Sequence, residues 1–191
     1  MTLFRPVVPR AARWRPAEGD GLEHLDLAPL PGGGLLASAV VIGGAGADPF
    51  ALRYRIRLGV DWRVREIAVE RTDGRSLGLV SPEPGRWQTI DGAPRPDLDG
   101  CIDVDIQATP FTNTLPIRRL GLTRAMGMAE LPMVYVPLDT LAPVPDGQRY
   151  AALDDGRRYR YEAADESFAA ELALDEDGLV LDYPGLFRRV F

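Results

Sequence analysis

From Leu52 to Val60 the chain alternates without a break. Leu52, Tyr54, Ile56, Leu58 and Val60 fall on one side, and Arg53, Arg55, Arg57 and Gly59 on the other. Successive side chains of an extended strand point to opposite faces, so this pattern fits a sheet with one dry face and one wet face. Trp62 and Val64 keep the parity, but Ile67 and Val69 are displaced by one, which places a bulge or a turn near Arg65 and Glu66. Asp73-Gly74 then marks a hairpin. Tyr159 and Tyr161 repeat the texture between arginines, followed by Phe168, Ala170, Leu172 and Leu174; DEDG at 175–178 marks another hairpin that leads into LVLDYPGLF. LLASAVVI after the turn PGGG, then CIDVDIQ and LPMVYVPL, add strand candidates bounded by Gly, Pro or Asp. One short helix is expected among these antiparallel strands. Thr112 or Asn113 would cap it, Pro116 fits its first turn, and Leu115, Ile117 and Leu120 would face inward.

Seventeen prolines and twenty glycines are spread along the 191 residues and gather in no single linker, so one domain over 1–191 is expected. The net charge is −6 and all 22 cations are arginine. An acidic chain without a basic run has no electrostatic footprint for a polyanion, which argues against nucleic acid as a partner. Cys101 is the single cysteine, so no internal disulfide forms and a zinc–cysteine cluster lacks ligands; a reducing cytoplasm is the expected compartment. No signal-peptide run opens the chain, and LLASAVVI at 35–42 is too short to span a bilayer. The lone His24, in DGLEHLDL, reads as a surface or structural residue, and no G-x-S-x-G elbow occurs; hydrolases built on Ser-His-Asp or Cys-His therefore fall away. GGAGAD at 43–48 and PGGG at 31–34 read as turns, since neither opens a helical pattern.

The chemistry-bearing stretch is DGCIDVDIQATPFTNTLPIRRLGL at 99–122. Asp103 and Asp105 share one side of a strand, Asn113 is the only asparagine, and Arg118 and Arg119 follow within one helical turn or two. A two-pronged guanidinium–carboxylate pair would make this a structural knot that sets the helix in place. The alternative is a ligand site, in which Asn113, Arg118 and Arg119 reach a phosphate or sugar hydroxyl while Asp103 and Asp105 hold the arginines. A D-x-D pair also binds magnesium in phosphoryl- and sugar-transfer enzymes, which keeps open a metal-dependent enzyme acting on a sugar or lipid phosphate through Asp103 and Asp105. The residues themselves call for no cofactor.

DLDGCIDVDIQATPFTNTLPIRRLGL, with GVDWRVREIAVE at 59–70, QRY at 148–150 and DEDGLVLDYPGLFRRV at 175–190, resembles the putative glycolipid-binding family, a bacterial family long carried as a domain of unknown function. The resemblance runs in order over nearly the whole chain. It implies a mainly β fold, a spiral β-roll in which a long curved antiparallel sheet of roughly fifteen short strands wraps around a single helix. It also implies a glycolipid or lipid ligand, by likeness of fold to periplasmic lipoprotein carriers whose curved sheets hold acyl chains. This chain departs from those carriers in having no signal peptide and no lipid-attachment cysteine near its start, so a cytoplasmic lipid or glycolipid sink fits better. Trp14, Trp62 and Trp87 would pack in the core or stack on sugars. A roll packed solid around its helix, serving only as an interaction domain, is the remaining alternative. Edge strands invite pairing with a second copy, which makes a homodimer one expected state.

Overall fold

Alternation becomes one sheet. The computed structural model describes residues 3–44 and 49–191, so that 45–48 of the turn read at GGAGAD lie outside the described residues. A first meander runs through β1 (Arg10–Pro16), β2 (Leu22–Pro29), β3 (Leu35–Gly43), β4 (Phe50–Leu58), β5 (Val64–Arg71), β6 (Ser76–Val80) and β7 (Gln88–Thr89). A second runs through β8 (Asp103–Ile106), β9 (Ala129–Val136), β10 (Val144–Asp154), β11 (Arg158–Ala163), β12 (Ala169–Leu174), β13 (Val180–Tyr183) and β14 (Phe187–Arg189). The two join where β1 pairs with β14, giving the order β7-β6-β5-β4-β3-β2-β1-β14-β13-β12-β11-β10-β9-β8.

Such a sheet cannot lie flat. Its end strands would stand about 60 Å apart at the usual strand spacing, and residues 90–102, which connect them, reach less than about 50 Å even when fully extended. The connector is in fact coiled, with a 3₁₀ turn at Pro96–Leu98 and a bond from Gly100 N to Gly85 O at 2.9 Å. The sheet therefore curls, although β7 and β8 do not pair and the ladder stays open.

Local rules account for the corners. Leu58 pairs with Val64 and Arg57 with Glu66, which leaves Arg65 as the extra residue of a bulge where the sequence parity slips. The strand expected to run on through Val60 ends earlier. Gly59 and Arg63 close a turn at 2.9 Å, Trp62 takes a left-handed conformation at φ 63, and Val60 points to solvent. Asp73-Gly74 and DEDG form the hairpins expected of them, with Gly74 and Gly178 at positive φ.

Inside the curl lies the helical segment. A 3₁₀ turn, Phe111–Asn113, leads into α1 (Thr114–Leu120), which Gly121 ends in the left-handed conformation at φ 58. Seven residues form no stable helix in water, so burial sustains this one. Phe111 and Leu115 enter the core made mostly by the first meander; Ile117 and Leu122 enter the core of the second. Thr114 ties it down by donating to Gly178 O at 2.8 Å. Neither expected cap is used: Asn113 makes no side-chain cap bond, because its amide is drawn into the contacts described below. Among the described residues, the expectation of an antiparallel sheet holds at every strand pair but one. β8 and β9 are parallel, because the chain crosses through the helical segment before returning, the kind of connection a parallel pair requires.

The turn at PGGG tests this account. Gly34 has φ +86, and a Cβ there would lie 2.4 Å from Leu58 O. Gly34→Ala should cost about 2–3 kcal/mol, read as a lowered urea midpoint at unchanged slope.

Candidate functional site

On β2 the inward positions are Glu23, Leu25 and Leu27, so a carboxyl takes a place that alternation reserves for an apolar side chain. Glu23 is only 2% exposed. Its Oε1 accepts from Tyr54 OH of β4 at 2.5 Å and from Thr109 Oγ1, in the turn after β8, at 2.7 Å. Thr109 is held in turn by Phe111 N at 3.0 Å. Glu23 Oε2 is buried without a hydrogen-bond partner. Burial pushes the Glu23 carboxyl up from its ordinary 4.5 to about 7, against the opposing hydrogen bonds from Tyr54 and Thr109.

Glu23 lines a cleft of about 230 Å³ whose walls are mainly apolar, supplied by Trp14, Val41, Phe50 and Leu138. A second cleft, of about 430 Å³, is polar and aromatic. Tyr161, Phe168 and Tyr183 form its aromatic wall, with ring centroids 6.0–6.1 Å apart, and Asp105, Asp146 and Asp165 bring carboxylates. The two clefts adjoin, for Gln107 and Phe187 line both. Gln107 is set by accepting from Leu138 N at 2.8 Å, and Phe187 packs on Tyr183 at 6.3 Å. No arginine or histidine lines either cleft among the described residues.

The sequence-designated residues separate here. Asp105 and Asn113 line the second cleft as parts of one network. Asn113 Nδ2 donates to Tyr150 OH at 3.0 Å, Tyr150 OH to Gln148 Oε1 at 2.9 Å, and Gln148 Nε2 to Asp105 Oδ2 at 2.7 Å; Thr112 Oγ1 donates to Asp105 Oδ1 at 2.9 Å. Both oxygens of Asp105 thus accept, while burial pushes its carboxyl up. Asp103 is fully buried and bound two-pronged by Arg119, Nε at 3.0 Å to both oxygens and Nη2 at 2.6 Å to one. Burial raises this carboxyl too, against the pull of Arg119. Arg118 does not return to the aspartates as the knot reading expects. It donates to Asp177 O at 2.6 Å and Arg5 O at 3.0 Å, and its guanidinium lies 4.2 Å from the Trp62 ring centre and 5.2 Å from that of Phe4. Adjacent helix positions diverge by about 100°, so one guanidinium turns to β8 and the other to the β12–β13 turn. Every Asp103 and Asp105 oxygen is thus already met by a protein donor. The described residues contain no group of three or more metal-ligating side chains.

Sequence reasoning passed over Glu23, Tyr54, Gln107 and Gln148. Glu23 carried a signal, since it stands in phase with Leu25 and Leu27 and so had to point inward. Gln107 and Gln148 carried none, because Leu138 and Asp105, which fix them, are remote in sequence. Trp14 and Trp87 are buried and Trp62 is half-buried, and of the three only Trp14 lines the apolar cleft. His24 stands on the outer face, where Arg13 Nε donates to its Nδ1 at 2.9 Å.

The family model described as "Putative glycolipid-binding" matches residues 11–189. Among solved structures the chain is similar to a DUF1089 family protein from Pseudomonas aeruginosa, at 40% identity and a TM-score of 0.81, covering 93% of this chain and 95% of that one. A beta-barrel-like protein of the domain of unknown function DUF1849 from Brucella abortus matches in fold alone, at 10% identity and a TM-score of 0.54, over 97% of this chain and 96% of that one. No curated protein matches.

Two measurements follow from the buried carboxyls. Asp103→Asn leaves Arg119, 9% exposed, without its counter-charge and should cost about 3–5 kcal/mol in chemical denaturation, whereas the double change Asp103→Leu with Arg119→Met should cost less than the single one. For Glu23 the folded pKa lies above the unfolded one, so the folded state binds the extra proton between about pH 4.5 and 7. Stability from this group is complete below that window and is lost as pH rises through it. Relative to Glu23→Gln, the native protein should therefore lose about 3 kcal/mol of unfolding free energy across the window. A pH-independent difference between the two would contradict the assignment.

Proposed function

The chain belongs to the putative glycolipid-binding family, and from that premise we propose that the adjoining clefts bind an uncharged glycolipid, chain in the apolar cleft and sugar in the aromatic one. The observation that carries this reading is the pairing itself: an apolar compartment and a carboxylate-and-aromatic compartment share Gln107 and Phe187, with no cation along either. Ring faces such as Tyr161 and Phe168 offer stacking surfaces for the apolar faces of a sugar. Asp146, Asp165, Ser167 and Asn113 offer acceptors and donors for its hydroxyls. Asp105 and Asn113 belong to this wall, while Asp103, Arg118 and Arg119 hold the helical segment behind it.

The charge pattern decides the head-group class. Three aspartates in the head-group cleft, with Glu18 and Glu23 in the other, repel a phosphate or carboxylate that no arginine is placed to meet. A neutral sugar suffers no such cost. The walls also limit length, since about 230 Å³ takes a short alkyl segment and leaves the rest of a long chain outside. No helix among the described residues is long and apolar enough to cross a membrane, and a ligand-binding reading needs none.

Calorimetric titration with n-octyl β-D-glucoside, octyl phosphate and 1-octanol tests the reading. The glucoside should bind at least about tenfold more tightly than either other compound, and its binding should quench the fluorescence of Trp14. Equal or tighter binding of octyl phosphate would overturn the head-group assignment, and no binding of the glucoside would overturn the reading as a whole.

A further inference from the structure

The fold does not account for the second oxygen of Glu23. Both donors that reach the side chain, Tyr54 OH and Thr109 Oγ1, are met by Oε1, an acceptor that glutamine would supply equally well. Oε2 adds no bond within the protein, yet it is buried, and a buried polar atom without a partner is costly to keep. The side chain carrying it lines the apolar cleft. A surplus oxygen at that place is accounted for if its partner arrives with the ligand.

We infer that Glu23 is the polar anchor of the apolar cleft, and that the alkyl segment bound there carries a hydroxyl group which donates to Glu23 Oε2. The inference rests on the glycolipid reading and narrows it to lipids whose chain, and not only whose sugar, is hydroxylated. A hydroxyl suits the site better than an ammonium would. The cleft wall of Trp14, Val41, Phe50 and Leu138 gives a cation no hydration to replace what it leaves in water, whereas a neutral donor loses little. It also suits the site better than a bare chain, which would leave Oε2 as unpaired as it is in the free protein. Selection of this kind is steep, because a site built to meet a hydroxyl leaves its own polar group unpaired when the hydroxyl is missing.

The test uses octyl β-D-glucoside and a set of relatives with one hydroxyl at successive chain carbons, together with the methyl ether of the tightest binder, all titrated at pH 8. In the native protein one hydroxylated position should bind about tenfold or more tightly than the plain chain, and its ether should lose that gain, since a carboxylate cannot donate to it. Glu23→Gln retains an acceptor for Tyr54 and Thr109 and so keeps the fold, but it presents an amide donor in place of Oε2. In that variant the ether should recover most of the lost affinity. Glu23→Met should bind every member of the set alike, with thermal unfolding to verify that it folds. Equal affinity across the set in the native protein would overturn the anchor and leave the glycolipid reading standing. Failure of every glucoside to bind would overturn both. A hydroxyl preference that persists in Glu23→Met, or an ether that Glu23→Gln does not rescue, would assign the anchor to a group other than Glu23.

Discussion

The inside of a curled sheet has to be filled, and in this chain the filling comes from the segment that crosses between the two meanders. Two clusters of buried residues, one drawn mainly from β1 to β6 and the other mainly from β10 to β13, each take in residues of the same short helical run. That run is held at both ends by polar contacts: Arg119 to Asp103 of β8, and Thr114 and Arg118 to the β12–β13 turn. Pairing a buried arginine with a buried aspartate adds little net stability, but its geometry admits few positions for the helix. The clefts are what remains at the mouth of the roll where the filler stops, between Gln107 and Asn113 on the inside and β1, β3, β11 and β14 around them.

Much of this was legible from residue order alone. Alternation in β4 specified which residues face inward, and the displaced phase of Ile67 and Val69 located the bulge at Arg65. Both are one-dimensional signals with a period set by the backbone. The parallel pairing of β8 with β9 was not legible, because it depends on the path the chain takes through the interior and leaves no mark on either strand. Asn113 reads as a helix cap by composition, yet Tyr150, thirty-seven positions further on, takes its amide. The clefts were illegible for the same reason, being assembled from β1, β3, the turn after β8 and β14. The phase of Glu23 was in plain sight, and its meaning emerged only when its neighbours across space were known.

Charge is sorted across the sheet. Arg53 and Arg57 stand on the outer face of β4 opposite Glu70 and Glu66 of β5, at 2.6 and 3.7 Å, in exposed pairs that contribute little energy but keep that face wet. Carboxylates without cations line the clefts on the inside. Strand parity accounts for part of this contrast, since Glu23, Asp105 and Asp146 reach the clefts from strand positions, whereas Glu18 and Asp165 reach them from outside the strands.

The pairing of β1 with β14 joins residues at opposite ends of the chain. Trp14 faces Arg189, Arg15 faces Arg188 and Pro16 faces Phe187, with Arg13 and Val190 extending the ladder. No turn links these strands, so forming them closes nearly the whole chain into a loop, the largest entropic cost of any pairing in the sheet. The two meanders meet along a seam, and Phe187 and Trp14, which both line the apolar cleft, stand on it. One wall of the apolar cleft is therefore set by the strand pair with the greatest sequence separation. A change in the pairing of the chain's two ends would be felt at once in the apolar cleft and, through Trp14 and Phe187, in both cores.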